Sequence, residues 1–246
     1  MITTLVVGAT GATGRLLVEQ LLDRGHLVRV IVRNPERLPR EVREHRNLTM
    51  ICAAVLKLTE AELAEHTQGC DAIASCLGHN LTVKGLFGPP YRLVAETTRR
   101  LCKAIETNNP KAPVRVVLMS TAANRNRDLS EPLSFSEKCI LGLIRWLVPP
   151  QTDNEKAADY FRLTVGQHSK MIQWVAVRPD TLINQPAVSE YGLHSSPTRS
   201  PIFNAGRTTR INVAHFMAEL MTNADTWMKW QGQMPVIYNK TQSGAK

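Results

Sequence analysis

The residues with the clearest chemical meaning are Gly8-Ala9-Thr10-Gly11-Ala12-Thr13-Gly14, three glycines spaced G-x-x-G-x-x-G between an apolar run and a helical pattern. Gly8 and Gly11 permit a tight turn and a close approach of backbone to a pyrophosphate, while Gly14 lets the following helix pack on the sheet. The helix start adds free N–H groups and the positive end of a dipole, so the chemistry is that of holding phosphate. Three glycines alone also build an ordinary turn. Their place between strand and helix, at the head of an alternating chain, makes a dinucleotide the expected ligand.

The end of the second strand decides which dinucleotide, because it faces the adenosine ribose, where an acidic residue would accept from the 2′-hydroxyl. Arg33 stands there instead. A guanidinium pairs with a 2′-phosphate through charge-assisted bonds, which favours NADP(H) over NAD(H). Arg15, directly after Gly14, is placed to close on the same phosphate, and Arg37 is a weaker third candidate. The alternative is a set of solvated surface arginines.

These residues need a scaffold, and the sequence supplies one. Short apolar, β-branched runs at 2–7, 27–32, 48–52, 72–77, 114–120, 172–177 and 235–238 alternate with helical stretches. This alternation predicts βαβ units and a parallel sheet, with 1–246 forming a single α/β domain. The first helix is expected over about 12–24, with Leu16, Leu17, Leu21 and Leu22 inward and Gly25 taking the positive φ that stops it. Another is expected over about 91–107, with Leu93, Thr97, Leu101 and Ile105 on one face. Two stretches rich in Pro, Ser, Asn and Arg, at about 124–151 and 185–209, follow late strands and are expected to be loops carrying function. The polar tail 239–246 is expected to fray.

A chain of 246 residues with 43% hydrophobic and 21% charged residues is long enough to bury its own core, which excludes a disordered or disulfide-stapled chain. The net charge of +9 favours anionic partners. Its basic residues are dispersed, with no arm or long run, so no nucleic-acid partner is expected. The five cysteines, Cys52, Cys70, Cys76, Cys102 and Cys139, form no C-x-x-C pair and read as reduced core thiols. With neither a leader nor an apolar run long enough to span a bilayer, a cytoplasmic location is expected. The apolar segment 139–148 reads as a helix packed on its own domain, with a lid, a dimer contact or a lipid-touching edge as alternatives. Homo-oligomerisation is left open.

The chain resembles the atypical short-chain dehydrogenases of the NAD(P)-binding, NmrA-like group, and within it the flavin reductase (biliverdin reductase B) type. The residues carrying the resemblance are Gly8–Gly14, Val32-Arg33-Asn34-Pro35, Ser120-Thr121-Ala122, Trp174-Val-Ala-Val-Arg-Pro179, Asn184-Gln-Pro186 and Ala214-His-Phe-Met217. It implies a Rossmann-like doubly wound sheet, NADP(H) across its carboxyl edge, and a substrate pocket beneath the loops after strands five and six. The family usually has an Asp after the third strand near the adenine amine. Here the segment is Ala53-Ala54-Val55, so adenine contacts fall to backbone groups and the edge near Leu77-Gly78.

A ketone-reducing short-chain dehydrogenase uses Tyr-x-x-x-Lys, in which lysine lowers the tyrosine pKa. This chain has no such pair: Lys156 falls at the family's lysine position, and four residues before it stands Thr152. Ordinary alcohol–ketone chemistry is therefore disfavoured. Hydride transfer to a flavin-like or other conjugated quinonoid acceptor needs mainly stacking, with solvent supplying the proton. On this reading Ser120 and Thr121 orient the nicotinamide or acceptor, Arg178-Pro179-Asp180-Thr181 supports the carboxamide side, and Lys156 is a further candidate, with Glu155 weaker. For Lys156 and Glu155 the competing reading is a helix N-terminus at Asp153-Asn-Glu-Lys156, with capping and solvated charge. The alternative function is a non-catalytic NADP(H)-sensing regulator of the NmrA kind. Arg199, Arg207, Arg210 and Lys170 are candidates for a positive substrate-side rim, with solvated surface charge as the competing reading. No metal is expected, since His79, His168, His194 and His215 lack ligand spacing, and His215 reads as a packing residue on a helix opened by Asn212.

Overall fold

The computed structural model describes residues 1–79, 88–129, 131, 134, 136–137, 140, 142–143 and 149–240. Its strands are β1 (Thr3–Val7), β2 (Leu27–Val32), β3 (Leu48–Cys52), β4 (Ala72–Ser75), β5 (Val114–Met119), β6 (Ile172–Pro179), β7 (Thr181–Ile183), β8 (Tyr191–His194), β9 (Arg207–Thr209) and β10 (Val236–Asn239). Eight of them form one sheet in the order β3-β2-β1-β4-β5-β6-β10-β8, parallel except for the β10–β8 pair. The chain therefore winds outward in both directions from β1 and β4. That reversal opens a crevice at the carboxyl ends of these two strands, the place where such sheets hold dinucleotides. The Rossmann-like doubly wound expectation is met.

Helices cover both faces, which is why the central strands are continuous apolar runs. On one face α1 (Ala12–Asp23) buries Leu17, Val18, Leu21 and Leu22 against Phe216 and Met217 of α6 (Arg210–Thr222). On the other, α3 (Glu60–Thr67), α4 (Leu93–Asn108) and α5 (Pro149–Tyr160) pack over Ile73, Val116 and Trp174. Two short helices, α2 (Arg40–Arg43) and α7 (Ala224–Trp230), follow β2 and α6 in the chain. Gly25, at φ +78°, follows α1 as expected, and Asn109, in the left-handed region at φ +45°, closes α4. Burial pushes the Cys70 and Cys76 thiols up to about 11 and about 12 and raises Cys102 further, as expected of core thiols, while Cys52 is exposed.

Some expectations need correction. In α1 the buried set includes Val18, and Leu16 is only half-buried. The stretch 185–209 is not simply a loop: β8 extends the sheet against β10, pairing His194 with Val236, and β9 pairs with β7. Neither strand alternates cleanly, because each is short and lies at a sheet edge. Asn239 belongs to β10, where its side-chain oxygen accepts from Thr209 N and Asn212 Nδ2. The helix carrying His215 is capped by Thr209, with Asn212 buried inside its first turn. Residues 241–246 and most of 139–148, including Cys139, lie outside the described residues. No described helix is long and apolar enough to cross a membrane.

Candidate cofactor and acceptor site

The glycine turn is shaped by backbone crowding. Gly8 has φ +80°, and a Cβ there would lie 2.6 Å from the carbonyl of Cys76 and 2.8 Å from Leu77 N. The turn is thereby pressed onto the chain leaving β4, so Leu77-Gly78 and the glycine motif share one edge of the crevice. A Cβ on Gly14 would meet the Gly8 oxygen at 2.2 Å, whereas one on Gly11 would meet it at 3.2 Å. Gly14 thus seats the helix on the turn itself, a more local role than packing on the sheet.

Gly11 is the N-cap of α1, without a side-chain cap and with no acidic residue in the first turn. Thr10 is half-buried, Ala12 exposed and Thr13 buried. The positive end of α1 is left for an anion by its own sequence, which suits a pyrophosphate. Arg33 follows β2 directly, is exposed, and has no hydrogen bond or ion pair with any described residue. Arg15 is half-exposed and lies 3.6 Å from Glu19, which leaves its guanidinium only loosely engaged. Arg37 is exposed in a short 3-10 turn over Pro35–Arg37, where Asn34 Oδ1 accepts from Glu36 N.

At the end of β5, Ser120 is buried and its Oγ accepts from Asn124 Nδ2 at 3.1 Å. The same Asn124 amide donates to Asn154 O, so Ser120 is linked to α5 two residues before Lys156. Thr121 Oγ1 is turned back onto Ala123 N at 3.4 Å. Pro179, the last residue of β6, accepts from Ala122 N at 2.8 Å, and Ser120 N donates to Val177 O. Continued past Met119–Val177, the β5–β6 register sets Ser120 beside Arg178 and Thr121 beside Pro179 at the carboxyl ends of β5 and β6. Lys156 is exposed on α5, while Glu155 is buried and accepts from Gln151 Nε2.

Residues 8–224 match the family described as NAD(P)H-binding. The chain belongs to the NAD(P)H-binding family. No curated protein matches its sequence significantly. Among solved structures, a Bacillus halodurans protein assigned as an NAD-dependent epimerase/dehydratase superposes with TM-score 0.70 at 20% identity, covering 98% of this chain and 95% of that one. A wide-type short-chain dehydrogenase/reductase from Veillonella parvula DSM 2008 in complex with NADP gives 0.69 at 15% identity, covering 97% and 94%. A protein from Streptococcus pneumoniae TIGR4 assigned as an NADH-flavin reductase gives 0.65 at 15%, covering 98% and 100%. At these identities the likeness shows a shared fold.

Several residues that organise this NAD(P)H-binding fold escaped the sequence reading. Helix α5 begins at Pro149, so Asp153 lies inside it and does not cap it. Its buried carboxylate instead accepts from Val94 N and Ala95 N, at the start of α4, and pairs with His79 Nε2. An acidic residue near a helix start was legible as a cap, but which helix it caps depends on tertiary packing.

Arg178 is fully buried: Nε donates to Met234 O, Nη1 to Asn124 O and Nη2 to Ser195 O, with Glu131 Oε1 2.8 Å away as its counter-ion. It fastens both substrate-side segments to β6. Its continuation is a strand-to-strand step, since Asp180 separates β6 from β7 and accepts from Gly206 N. Of the expected basic rim, Lys170 stands two residues before β6 and so lies at the amino end of the sheet, opposite the crevice. Arg210 is bound to Asn184 Oδ1, Arg207 is exposed on β9, and Arg199 is exposed.

Proposed function

We propose that this chain is an NADPH-dependent reductase that passes hydride to a flavin-like or other conjugated quinonoid acceptor, as in the flavin reductase type of the NmrA-like group. Bound NADPH supplies the hydride. Gly8, Gly11, Gly14 and the first turn of α1 hold its pyrophosphate, and Leu77-Gly78 line the adjoining edge. Arg33, assisted by Arg15, holds the 2′-phosphate. Ser120, fixed by Asn124, presents its hydroxyl proton to the nicotinamide or the acceptor, and Pro179 walls the same edge. Thr121 and the exposed Lys156 lie near the acceptor rather than forming an acid pair.

The observation that carries the acceptor class is a chain without Tyr-x-x-x-Lys whose buried Ser120 is hydrogen-bonded to an amide, not to a titratable group. Such a site supplies no strong acid, and a conjugated acceptor needs none, because it delocalises the arriving charge and solvent delivers the proton. A cleft of about 540 Å³ with Ala122, Ala123 and Arg125 on its lining together with Pro197–Pro201 offers room for that acceptor.

The test follows loss of reduced-nicotinamide absorbance with NADPH and a panel of FMN, FAD, riboflavin, biliverdin and quinones. Turnover of conjugated acceptors with none of simple ketones is expected. Tight NADPH binding without turnover of any of them would discard the reductase in favour of a cofactor sensor.

A further inference from the structure

The cleft beside the acceptor site has an electrostatic character that the reductase reading does not require. It begins two residues beyond Ser120, at Ala122 and Ala123, and its far wall is Pro197–Pro201. Alanine and proline surfaces suit a flat hydrocarbon body. Polar groups gather at Arg125, Ser134, Thr198, Arg199 and Ser200.

Two carboxylates also line it, and both are already engaged. Glu131 is buried, accepts from Asn126 N through Oε2, and is the counter-ion of the fully buried Arg178. Glu137 accepts from Ser134 N and Ser134 Oγ at 2.8 Å each, and its hydrogen bonds to Ser200 and then Ser134 hold its carboxyl below the usual range. The cleft wall carries two guanidiniums, Arg125 and Arg199, and two carboxylates, one of which, Glu131, is already neutralised by the fully buried Arg178.

The cations are less fully engaged. Arg125 donates through Nη2 to Glu131 O at 2.7 Å, but its Nε is buried with no hydrogen-bond partner. A buried, unpaired guanidinium donor is rare and costly in a folded protein, so the charge of Arg125 stands at the cleft wall without a full set of acceptors. Arg199 is exposed across the cleft and forms no hydrogen bond through its side chain with the described residues. It senses Asp180 only through space.

We propose that this cleft is an anion subsite for the acceptor, in which Arg125 and Arg199 bind a phosphate or carboxylate carried on the molecule to be reduced. The proposal rests on the reductase reading and narrows its substrates to acidic conjugated acceptors. Arg125 and Arg199 are specificity residues; neither exchanges a proton with the reacting atoms.

FMN and riboflavin provide the test, because they share the reactive ring and differ by one phosphate. Measurements are made with NADP(H) saturating, so that the glycine turn is not open to the flavin phosphate. The expected result is kcat/KM for FMN roughly tenfold or more above that for riboflavin, the scale of a charge-assisted hydrogen bond. Biliverdin, which offers carboxylates, distinguishes a general anion subsite from a phosphate-selective one. Arg125→Met and Arg199→Met should each bring the FMN to riboflavin ratio of kcat/KM to within about twofold. Arg199→Met guards against loosening of the 125–131 segment, because its side chain anchors no backbone.

Equal kcat/KM for the two flavins, or a ratio unmoved by both substitutions, overturns the anion subsite while leaving the reductase intact. Flavin fluorescence quenching separates the opposite failure: tighter binding of FMN than riboflavin to the NADP-loaded protein, without turnover, keeps the subsite and removes the reductase.

Discussion

The ring nitrogen Nε2 of His79 lies 2.8 Å from Oδ2 of Asp153, and both side chains are buried. An ionised carboxylate only accepts, so His79 donates, and Asp153 gathers three donors from two further elements: this imidazole and the amides of Val94 and Ala95. The pair joins the chain leaving β4 to the start of α4 and to α5, which carries Thr152 and Lys156. Asp153→Ala leaves three donors without this acceptor in a dry site and should lower stability by about 3 kcal/mol. Asp153→Asn keeps one good acceptor and should cost about half of that. Urea midpoints of the two variants test the ranking, and equal losses would refute it.

The glycines of the turn are unequal, and the difference is measurable. An added Cβ meets Gly8 O at 2.2 Å from position 14 but at 3.2 Å from position 11. Backbone must move in the first case, and a few tenths of an ångström of give suffices in the second. Gly14→Ala should weaken NADPH binding by roughly tenfold or more, about 1.4 kcal/mol, and Gly11→Ala by much less. Calorimetric titration of both variants decides. A Gly11→Ala defect as large as that of Gly14→Ala would place the constraint at the ligand rather than in the backbone.

This inequality marks where sequence reading stops. The bounds of β2 and β3 and the place of the glycine turn were legible, because alternating apolar runs and glycine spacing are local signals. Long-range partners were not. Asp153 looked like a cap for its own helix, yet it serves α4, some sixty residues earlier in the chain. Arg178 was read as a support for the carboxamide side, and nothing in Trp174–Pro179 announces that its guanidinium is the buried counter-ion of Glu131. The strands β8 and β9 lack a clear period because they add to sheet edges already specified by β10 and β7.

Arg33 gives the sharpest test of cofactor preference. It stands exposed at the end of β2 with no described partner, so its removal disturbs little of the fold. Arg33→Ala should cost NADPH roughly 10- to 100-fold in affinity, the scale of one or two charge-assisted bonds, and leave NADH nearly unchanged. Parallel titrations with both reduced cofactors measure this. If NADH binds the unaltered protein as tightly as NADPH, the 2′-phosphate assignment fails.

The pH dependence of stability has a defined contributor in His215. Its Nδ1 lies 2.9 Å from the Tyr191 hydroxyl, whose pKa burial pushes up to about 12, so the phenol keeps its proton and the two groups share a hydrogen bond. Burial first, and then the Arg24 guanidinium, lower the His215 pKa, while Glu219, 3.9 Å from Nε2, opposes them. A histidine with a lowered folded-state pKa takes up its proton more readily when unfolded. Its contribution to stability is therefore complete above the unfolded value near 6.5 and declines as the pH falls below it. His26, lowered chiefly by burial, adds in the same direction. The melting temperature should drop between about pH 7 and 5.5, and His215→Gln should flatten that slope without abolishing it, since His26 remains. An unchanged slope in the variant would show that the Tyr191–His215 contact carries no proton linkage.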